Sequence, residues 1–135
     1  MERIKQMIVM RRDLHMRKGK IAAQAGHACV NAVLAAMIRD GASPDMDEHG
    51  DLRMGGGTAL SAWFDQGEAK VCVYVDSEEA LLAIHRQALE AGILSVLIQD
   101  SGLTEFHGEP TYTCLAFEPL PASRTDPLTG ELPLF

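Results

Sequence analysis

The sequence predicts a single α/β domain with a mainly parallel sheet and helices on both faces. Two observations lead to this fold class. Apolar runs of strand length alternate along the chain with segments of helical periodicity, and this alternation is typical of sheets covered by helices. The chain has 135 residues, 47% of them hydrophobic, which fits one domain with its own core. We therefore expect residues 1–135 to form one unit.

The predicted strands are short apolar runs bounded by polar residues. The segment Lys70–Val75 is apolar on both alternating faces, as expected for a strand covered on both sides. The four strands are predicted at 4–10, 70–75, 93–98 and 112–118.

The predicted helices lie between these runs. The first spans about 19–39 and is rich in small residues, a second and short one runs from Thr58 to Asp65, and a third ends at Gly92, a good helix-terminating residue. Residues 41–58 are acidic and contain three successive glycines, so we expect a mobile surface loop. The tail holds four prolines and is expected to lie extended over the surface.

Charge is distributed unevenly along the chain. The formal net charge is −7, which by itself argues against nucleic-acid binding. Residues 1–39, however, hold eight of the twelve Lys and Arg and only two of the nineteen acids. A local basic patch can still attract a polyanion, although the same pattern could serve solubility alone.

The first helix and the loop before it form the main candidate site. Arg12 and Lys18 lie in a basic loop, and Gly19 permits close approach of a partner at the helix N-terminus, where free N–H groups favour anions. At 100° per residue, one polar stripe of the helix contains Lys20, Gln24, His27 and Asn31. Such a stripe could be an ordinary solvated face, but the adjoining basic loop favours a binding site.

A second candidate site follows the third predicted strand. Asp100 could activate water or orient a cationic partner there, or its side chain could cap its own backbone in a turn. Thr104 and Thr111 could donate hydrogen bonds to an oxyanion, although threonines at strand ends are usually structural. Sites gather beyond the carboxyl ends of parallel strands. If the first and third strands are neighbours, Asp100 meets Lys18, Lys20 and His27.

Several classes of protein are disfavoured by the sequence. The histidines are dispersed and no cofactor motif is present, so we predict no metal and no cofactor. Cys29, Cys72 and Cys114 fall within predicted elements, and their odd number favours reduced thiols and a cytoplasmic location. No uninterrupted apolar run reaches about 18 residues, so no membrane span is expected.

The motifs at these positions resemble the type 2 (archaeal and eukaryotic) peptidyl-tRNA hydrolase family. The resemblance covers nearly the whole chain apart from about 41–58. It rests on Arg12-Asp-Leu-His-Met16, Lys18-Gly-Lys-Ile-Ala-Ala-Gln-Ala-Gly-His-Ala28, Asp100-Ser-Gly-Leu-Thr104 and Leu128-Thr-Gly-Glu-Leu-Pro-Leu-Phe135.

The resemblance implies a four-stranded mixed sheet and hydrolysis of the ester that joins a peptide to the 3′ ribose of tRNA. It also implies roles for individual residues: Lys18 and Lys20 would bind phosphate or polarise the ester, and Asp100 would position or activate water. The predicted catalytic residues are Lys20, His27, Asp100, Thr104 and Thr111. The predicted substrate-binding residues are Arg12, Lys18, Gly19, Gln24 and Asn31. Family members often pair, so a homodimer is also expected.

An alternative function is a non-catalytic module that binds RNA or another anion on the same fold. Leu103, where the family often has arginine, and the acids of residues 41–58 favour this alternative. Turnover of an N-blocked aminoacyl-tRNA distinguishes the two functions.

Overall fold

The structure, a computed structural model, describes residues 2–102 and 105–135. Within these ranges the chain forms helices on both faces of a central sheet. The helices are α1 (Lys18–Asp40), α2 (Ala59–Asp65), α3 (Glu78–Glu90) and α4 (Ala122–Thr129). The strands are β1 (Ile4–Arg11), β2 (Asp45–Met46), β3 (Leu52–Arg53), β4 (Lys70–Val75), β5 (Ser95–Asp100), β6 (Thr111–Phe117) and β7 (Leu120–Pro121).

The central sheet is mixed and has the order β4-β1-β6-β5, with β7 paired to β1. Strands β1 and β4 are parallel, whereas β6 is antiparallel to both of its neighbours, β1 and β5. Three of the four long strands therefore run in one direction, and the predicted α/β class is confirmed. The sheet has five strands rather than four. A two-residue strand that ends in proline, as β7 does, offers no apolar run from which it could be predicted.

Each face of the sheet has its own core. On one face, α1 packs Ala28 and Ala32 against Met10 and Cys114, none of which is exposed. Small helix residues let α1 approach the sheet closely. On the other face α3 packs against the sheet, and Leu81 and Phe117 are fully buried in that core. Burying one such large side chain contributes about 1.5–3 kcal/mol.

Helix α1 has the length and the apolar composition that a membrane-spanning helix needs. In the structure one side of the helix is buried, at Ala28, Cys29, Ala32 and Ala36. Ion pairs fix both ends to the sheet, Lys20 to Asp100 near the start and Arg39 to Glu118 near the end. The helix ends at Gly41, whose φ of +63° favours glycine.

Residues 41–58 contain more structure than the sequence indicates. Strands β2 and β3 pair in a small antiparallel hairpin. Beyond the hairpin, Met54 is 3% exposed and packs in a third core with Trp63 of α2. The mobility of this segment stays a prediction.

The prediction of an extended tail is wrong for residues 122–129, which form α4. Thr125 and Thr129 are buried on the inner side of this helix. Pro121 precedes the first helical turn, where a fixed φ does no harm, and only Pro127 interrupts the helix interior. Packing against the α3 side of the sheet therefore outweighs the proline content. Further along, Leu134 bridges to Val73, and Phe135 N donates to Cys72 O at 3.0 Å.

Candidate active site

The candidate active site centres on an ion pair between the start of α1 and the end of β5. Lys20 Nζ lies 2.7 Å from Asp100 Oδ1, and the two side chains are only 16% and 12% exposed. The other carboxylate oxygen, Oδ2, accepts a hydrogen bond of 2.9 Å from Gly102 N. One oxygen of Asp100 therefore caps the turn and the other meets a cationic partner, while activation of water by Asp100 stays a prediction.

The pair forms for a different reason from the one the sequence indicated. Strands β1 and β5 are not neighbours, because β6 lies between them. The expected adjacency is wrong, since β6 follows both strands in sequence yet lies between them in the sheet. Helix α1 packs mainly over β6 and β5 rather than β1. That placement brings Lys20 to Asp100.

The pKa of Asp100 is lowered from its usual value, chiefly by the hydrogen bond from Lys20, while partial burial acts in the opposite direction. The Gly102 N–H also lowers it. Asp100 is therefore a carboxylate at neutral pH. A carboxylate of low pKa accepts a full proton weakly but can hold and orient a water molecule.

One helical turn beyond Lys20, Gln24 is bound to a residue that the sequence analysis did not identify. Thr113 is fully buried, and its Oγ1 donates to Gln24 Oε1 at 2.6 Å. Cys114 follows and its thiol lies 3.5 Å from Gln24 O, so two consecutive side chains of β6 face α1. The β5–β6 register shifts here, between Ile98 and Gln99. A β-bulge of this kind turns a side chain to a new face, and the sequence carries no visible sign of it.

The structure describes only one of the two predicted threonines, Thr111. Thr111 is the cross-strand partner of Asp100, so it does lie beside the site. Its hydroxyl, however, donates to Glu109 O at 2.8 Å within the local turn. Thr104, together with Leu103, lies outside the described residues.

The basic loop before α1 remains open to solvent. Lys18 and Gly19 are exposed in the first turn, which contains no acidic residue of its own. The Glu105 carboxylate lies nearby and accepts a hydrogen bond of 3.4 Å from the backbone N–H of Arg17, the residue before the helix. Arg17 faces Glu105, with Nε 3.9 Å from Oε1. Basic groups and free N–H donors at a helix N-terminus form an environment that favours an anion.

The remaining predicted residues are placed as follows. His27 is exposed and Asn31 is half-buried on the stripe, and in the described part of the chain neither side chain makes a hydrogen bond. Arg12 is held away from the pair: its guanidinium lies 4.0 Å from the centroid of the Tyr74 ring and 3.3 Å from Asp76 Oδ1. The structure thus brings together Lys20, Gln24, Asp100 and Thr111, and places Arg12 beside other partners.

Two further features of the surroundings bear on cofactors and ligands. Across residues 2–102 and 105–135, no three His, Cys, Asp or Glu side chains are grouped to hold a metal ion. A cavity of about 240 Å³ between α1 and α2, lined by Gln6, Cys29 and Trp63 among others, contains none of the predicted site residues. The Lys20–Asp100 pair lies instead at the edge of the sheet.

The fold and site define an α/β protein with a lysine–carboxylate pair beside a basic loop. Residues 4–135 match the model of the family described as peptidyl-tRNA hydrolase PTH2. The chain belongs to this family, which confirms the resemblance seen in its motifs.

Similar proteins extend along the whole chain. A protein of Thermococcus onnurineus named peptidyl-tRNA hydrolase is 37% identical over 134 residues, covering 99% of each chain. A protein of Methanopyrus kandleri with the same name is 37% identical over 131 residues, covering 96% of this chain and 97% of its own. A solved structure of a protein of unknown function from Agrobacterium tumefaciens strain C58 is similar with a TM-score of 0.59 and 15% identity, covering 100% of this chain and 99% of that one. The last similarity concerns the fold alone.

Proposed function

We propose that this chain hydrolyses the ester between a peptide, or an N-blocked amino acid, and the 3′ ribose of tRNA, and so recycles stalled peptidyl-tRNA. The observation that carries the proposal is the pairing of Lys20 with Asp100 beside an open basic loop. Membership in the peptidyl-tRNA hydrolase family supports the reaction, and the pair suggests how the residues divide it.

In the proposed reaction, water attacks the ester carbonyl and the bond from that carbon to the ribose oxygen breaks. The products are a peptide with a free carboxylate and tRNA with its 3′-hydroxyl restored. Asp100, ionised at neutral pH, orients the attacking water. The ammonium of Lys20 stabilises the negative charge that develops on the carbonyl oxygen, and partial burial strengthens this effect.

The surrounding residues are proposed to hold the substrate. Lys18 and the N–H groups near Gly19 bind phosphate, because they are exposed cationic or donor groups. Gln24, fixed by Thr113, lines the cleft one turn beyond Lys20. His27 and Asn31 continue this side of the helix. Thr104 and Thr111 are proposed to hydrogen-bond the substrate, and Arg12 to assist substrate binding at the same edge.

The proposal is tested by release of peptide from diacetyl-lysyl-tRNA. We expect the wild-type chain to turn over, and Asp100→Ala and Lys20→Ala each to lose activity by at least about 100-fold, the usual size of general acid–base and electrostatic contributions. The matched control is Asp126→Ala, which removes another ion-paired aspartate, on α4 and paired to Lys5 at 3.4 Å. This control should retain wild-type activity.

The outcomes separate the two functions. Wild-type protein that binds tRNA without releasing peptide would establish the non-catalytic module instead. Normal turnover by Asp100→Ala would remove Asp100 from the mechanism. Binding that does not weaken with added salt would contradict phosphate recognition by the basic loop.

The predicted homodimer and cytoplasmic location remain proposals. Val30, Leu34 and Ile38 are 57%, 48% and 82% exposed at four-residue spacing on α1, and this apolar stripe supports self-association. Light scattering on purified protein tests it. The three cysteines are unpaired, which supports a reducing compartment.

A further inference from the structure

An aromatic cluster lies at the end of β4, apart from the Lys20–Asp100 pair. The Arg12 guanidinium stacks on the Tyr74 ring at 4.0 Å and donates to its hydroxyl at 2.8 Å. Phe135 meets the same ring edge-on, with centroids 6.0 Å apart and an interplanar angle of 88°. Arg12 and Phe135 are each about half exposed. Stacked aromatic and guanidinium groups that face solvent are the usual platform for unpaired bases.

The cluster and the ion pair occupy the same face of the sheet. Asp100 meets Lys20 of α1 and so points to the α1 side. Tyr74 lies two residues after Cys72, which packs in the core beneath α1, and strand residues two apart share a face. Its register partner, Met10, also lies in that core. Tyr74 therefore points to the same side as Asp100.

The two features also share one edge of the sheet. Strands β1, β4 and β5 run in the same direction, and Arg12, Tyr74 and Asp100 lie at or just beyond their carboxyl ends. The order β4-β1-β6-β5 separates Tyr74 from Asp100 by three strand spacings, or roughly 14 Å at about 4.8 Å each. A stacked strand advances about 3.4 Å per nucleotide. The separation corresponds to about four stacked nucleotides, or fewer if the strand is extended.

We propose that Tyr74 and Phe135, held by Arg12, form a stacking subsite for a base in the unpaired 3′ tail of the tRNA, upstream of the nucleotide whose ester lies at Lys20 and Asp100. This inference rests on the proposed function and adds a specificity element to it. The subsite is continuous with the basic loop, because Arg12 begins that loop and Lys18 ends it.

The charges around Arg12 favour stacking over phosphate binding. Asp76 offers both carboxylate oxygens to the guanidinium, at 3.3 and 3.5 Å. This neighbour offsets the positive charge that a phosphate would need, whereas a base requires a flat surface and no net charge. The role of Arg12 is accordingly to position the Tyr74 ring.

The experiment compares two substrates that carry the same ester. Diacetyl-lysyl-tRNA has the 3′ tail, and diacetyl-lysyl-adenosine lacks every nucleotide upstream of the ester. For Phe135→Ala and Tyr74→Leu we expect KM on the tRNA to rise about five-fold or more, as expected for loss of one stacked base, with kcat within two-fold of wild type. On the adenosine ester both parameters should stay at wild-type values.

Matched variants make the result specific. Tyr74→Phe keeps the ring but loses the hydroxyl that accepts from Arg12, so KM on the tRNA should rise less than it does for Tyr74→Leu. Leu134→Ala alters an exposed neighbour without an aromatic ring and should change nothing. A tRNA with 2-aminopurine in its 3′ tail should lose fluorescence on binding wild-type protein, and less on binding Tyr74→Leu.

Three outcomes would overturn the inference. One is an unchanged KM on tRNA for both Phe135→Ala and Tyr74→Leu. Another is an equal rise in KM on the adenosine ester, which would mean that the cluster supports the ion-pair site itself. The third is an equal effect from Leu134→Ala. Failure of the proposed function appears differently, as a wild-type chain that hydrolyses neither ester.

Discussion

Thr113 Oγ1 donates a 2.6 Å hydrogen bond to Gln24 Oε1, across 89 residues of sequence. The bond joins the bulge of β6 to the polar stripe of α1, one turn beyond Lys20. It fixes the direction of the Gln24 amide and therefore the hydrogen-bonding groups that this side of α1 presents. The bond makes Thr113, rather than Thr111, the threonine of β6 that is directly coupled to α1.

Replacing Thr113 by valine should weaken both folding and catalysis. The change keeps the side-chain shape but leaves Gln24 Oε1 without its donor, so we expect a loss of about 1 kcal/mol in the free energy of unfolding. The freed amide should also lower kcat/KM. Urea titration and the hydrolysis assay measure the two effects. Thr111→Val is the matched control, since its hydroxyl bonds only to Glu109 O in an exposed turn, and it should cost less than about 0.5 kcal/mol. Equal destabilisation by the two variants would contradict this assignment.

Lys20 and Asp100 should behave as one catalytic unit. We expect Lys20→Met and Asp100→Asn each to lower kcat strongly. The kcat of the double variant should be only slightly below that of the less active single variant, because the effects of groups that act together are strongly non-additive. Single-turnover rates on diacetyl-lysyl-tRNA measure the coupling. Losses in the double variant that equal the product of the two single losses would show that the residues act independently.

The ion pair also predicts how stability depends on pH. The pKa of Asp100 is lower in the folded chain than its unfolded value of about 3.9. The ionised carboxylate therefore contributes stability above about pH 4, and this contribution is lost as the pH falls through the folded-state pKa. The Tm difference between wild type and Asp100→Asn should be full at pH 6–7 and should shrink towards pH 3. A difference that grows on acidification would mean that the pKa shift has the opposite sign.

The three thiols should resist alkylation in the folded chain. Burial raises the pKa of Cys72 to about 11 and that of Cys114 to about 12, and it also raises the pKa of Cys29. The thiolate is the reactive species, so at pH 8 only a very small fraction of these groups can react. Mass spectrometry after iodoacetamide treatment should show little labelling of native protein and three labels after guanidinium is added. Rapid labelling of native Cys29 or Cys114 would indicate that α1 separates readily from the sheet.

The sequence predicted the features that follow from a periodic pattern of apolar residues or from a local cluster of charged residues. Strands β1, β4, β5 and β6 are continuous apolar runs, and α1 has a polar stripe with a basic start, so both the strands and the Lys20 side of the site could be predicted. The motif resemblance indicated the family independently of these patterns. Residues 103 and 104, part of the predicted catalytic turn, lie outside the described residues.

The features that the sequence did not predict depend on long-range pairing. The insertion of β6 between β1 and β5 depends on hydrogen bonds between strands that are distant in sequence. The paired residues of β1 and β6 lie more than 100 positions apart. The bulge at Thr113 is a shift in register, and an alternating pattern of apolar residues does not reveal such a shift. Helix α4 forms despite Pro127 because Thr125 and Thr129 pack inward, which outweighs local propensity.

The central position of β6 has a consequence for biosynthesis. Residues 111–117 leave the ribosome after β1 and β5, yet they lie between these two strands and pair with both. During translation, β1 can pair with β4 early, but β5 has no neighbour until β6 emerges. The sheet edge that holds Lys20 and Asp100 can therefore be completed only after β6 has emerged, and chains truncated before residue 111 should remain inert.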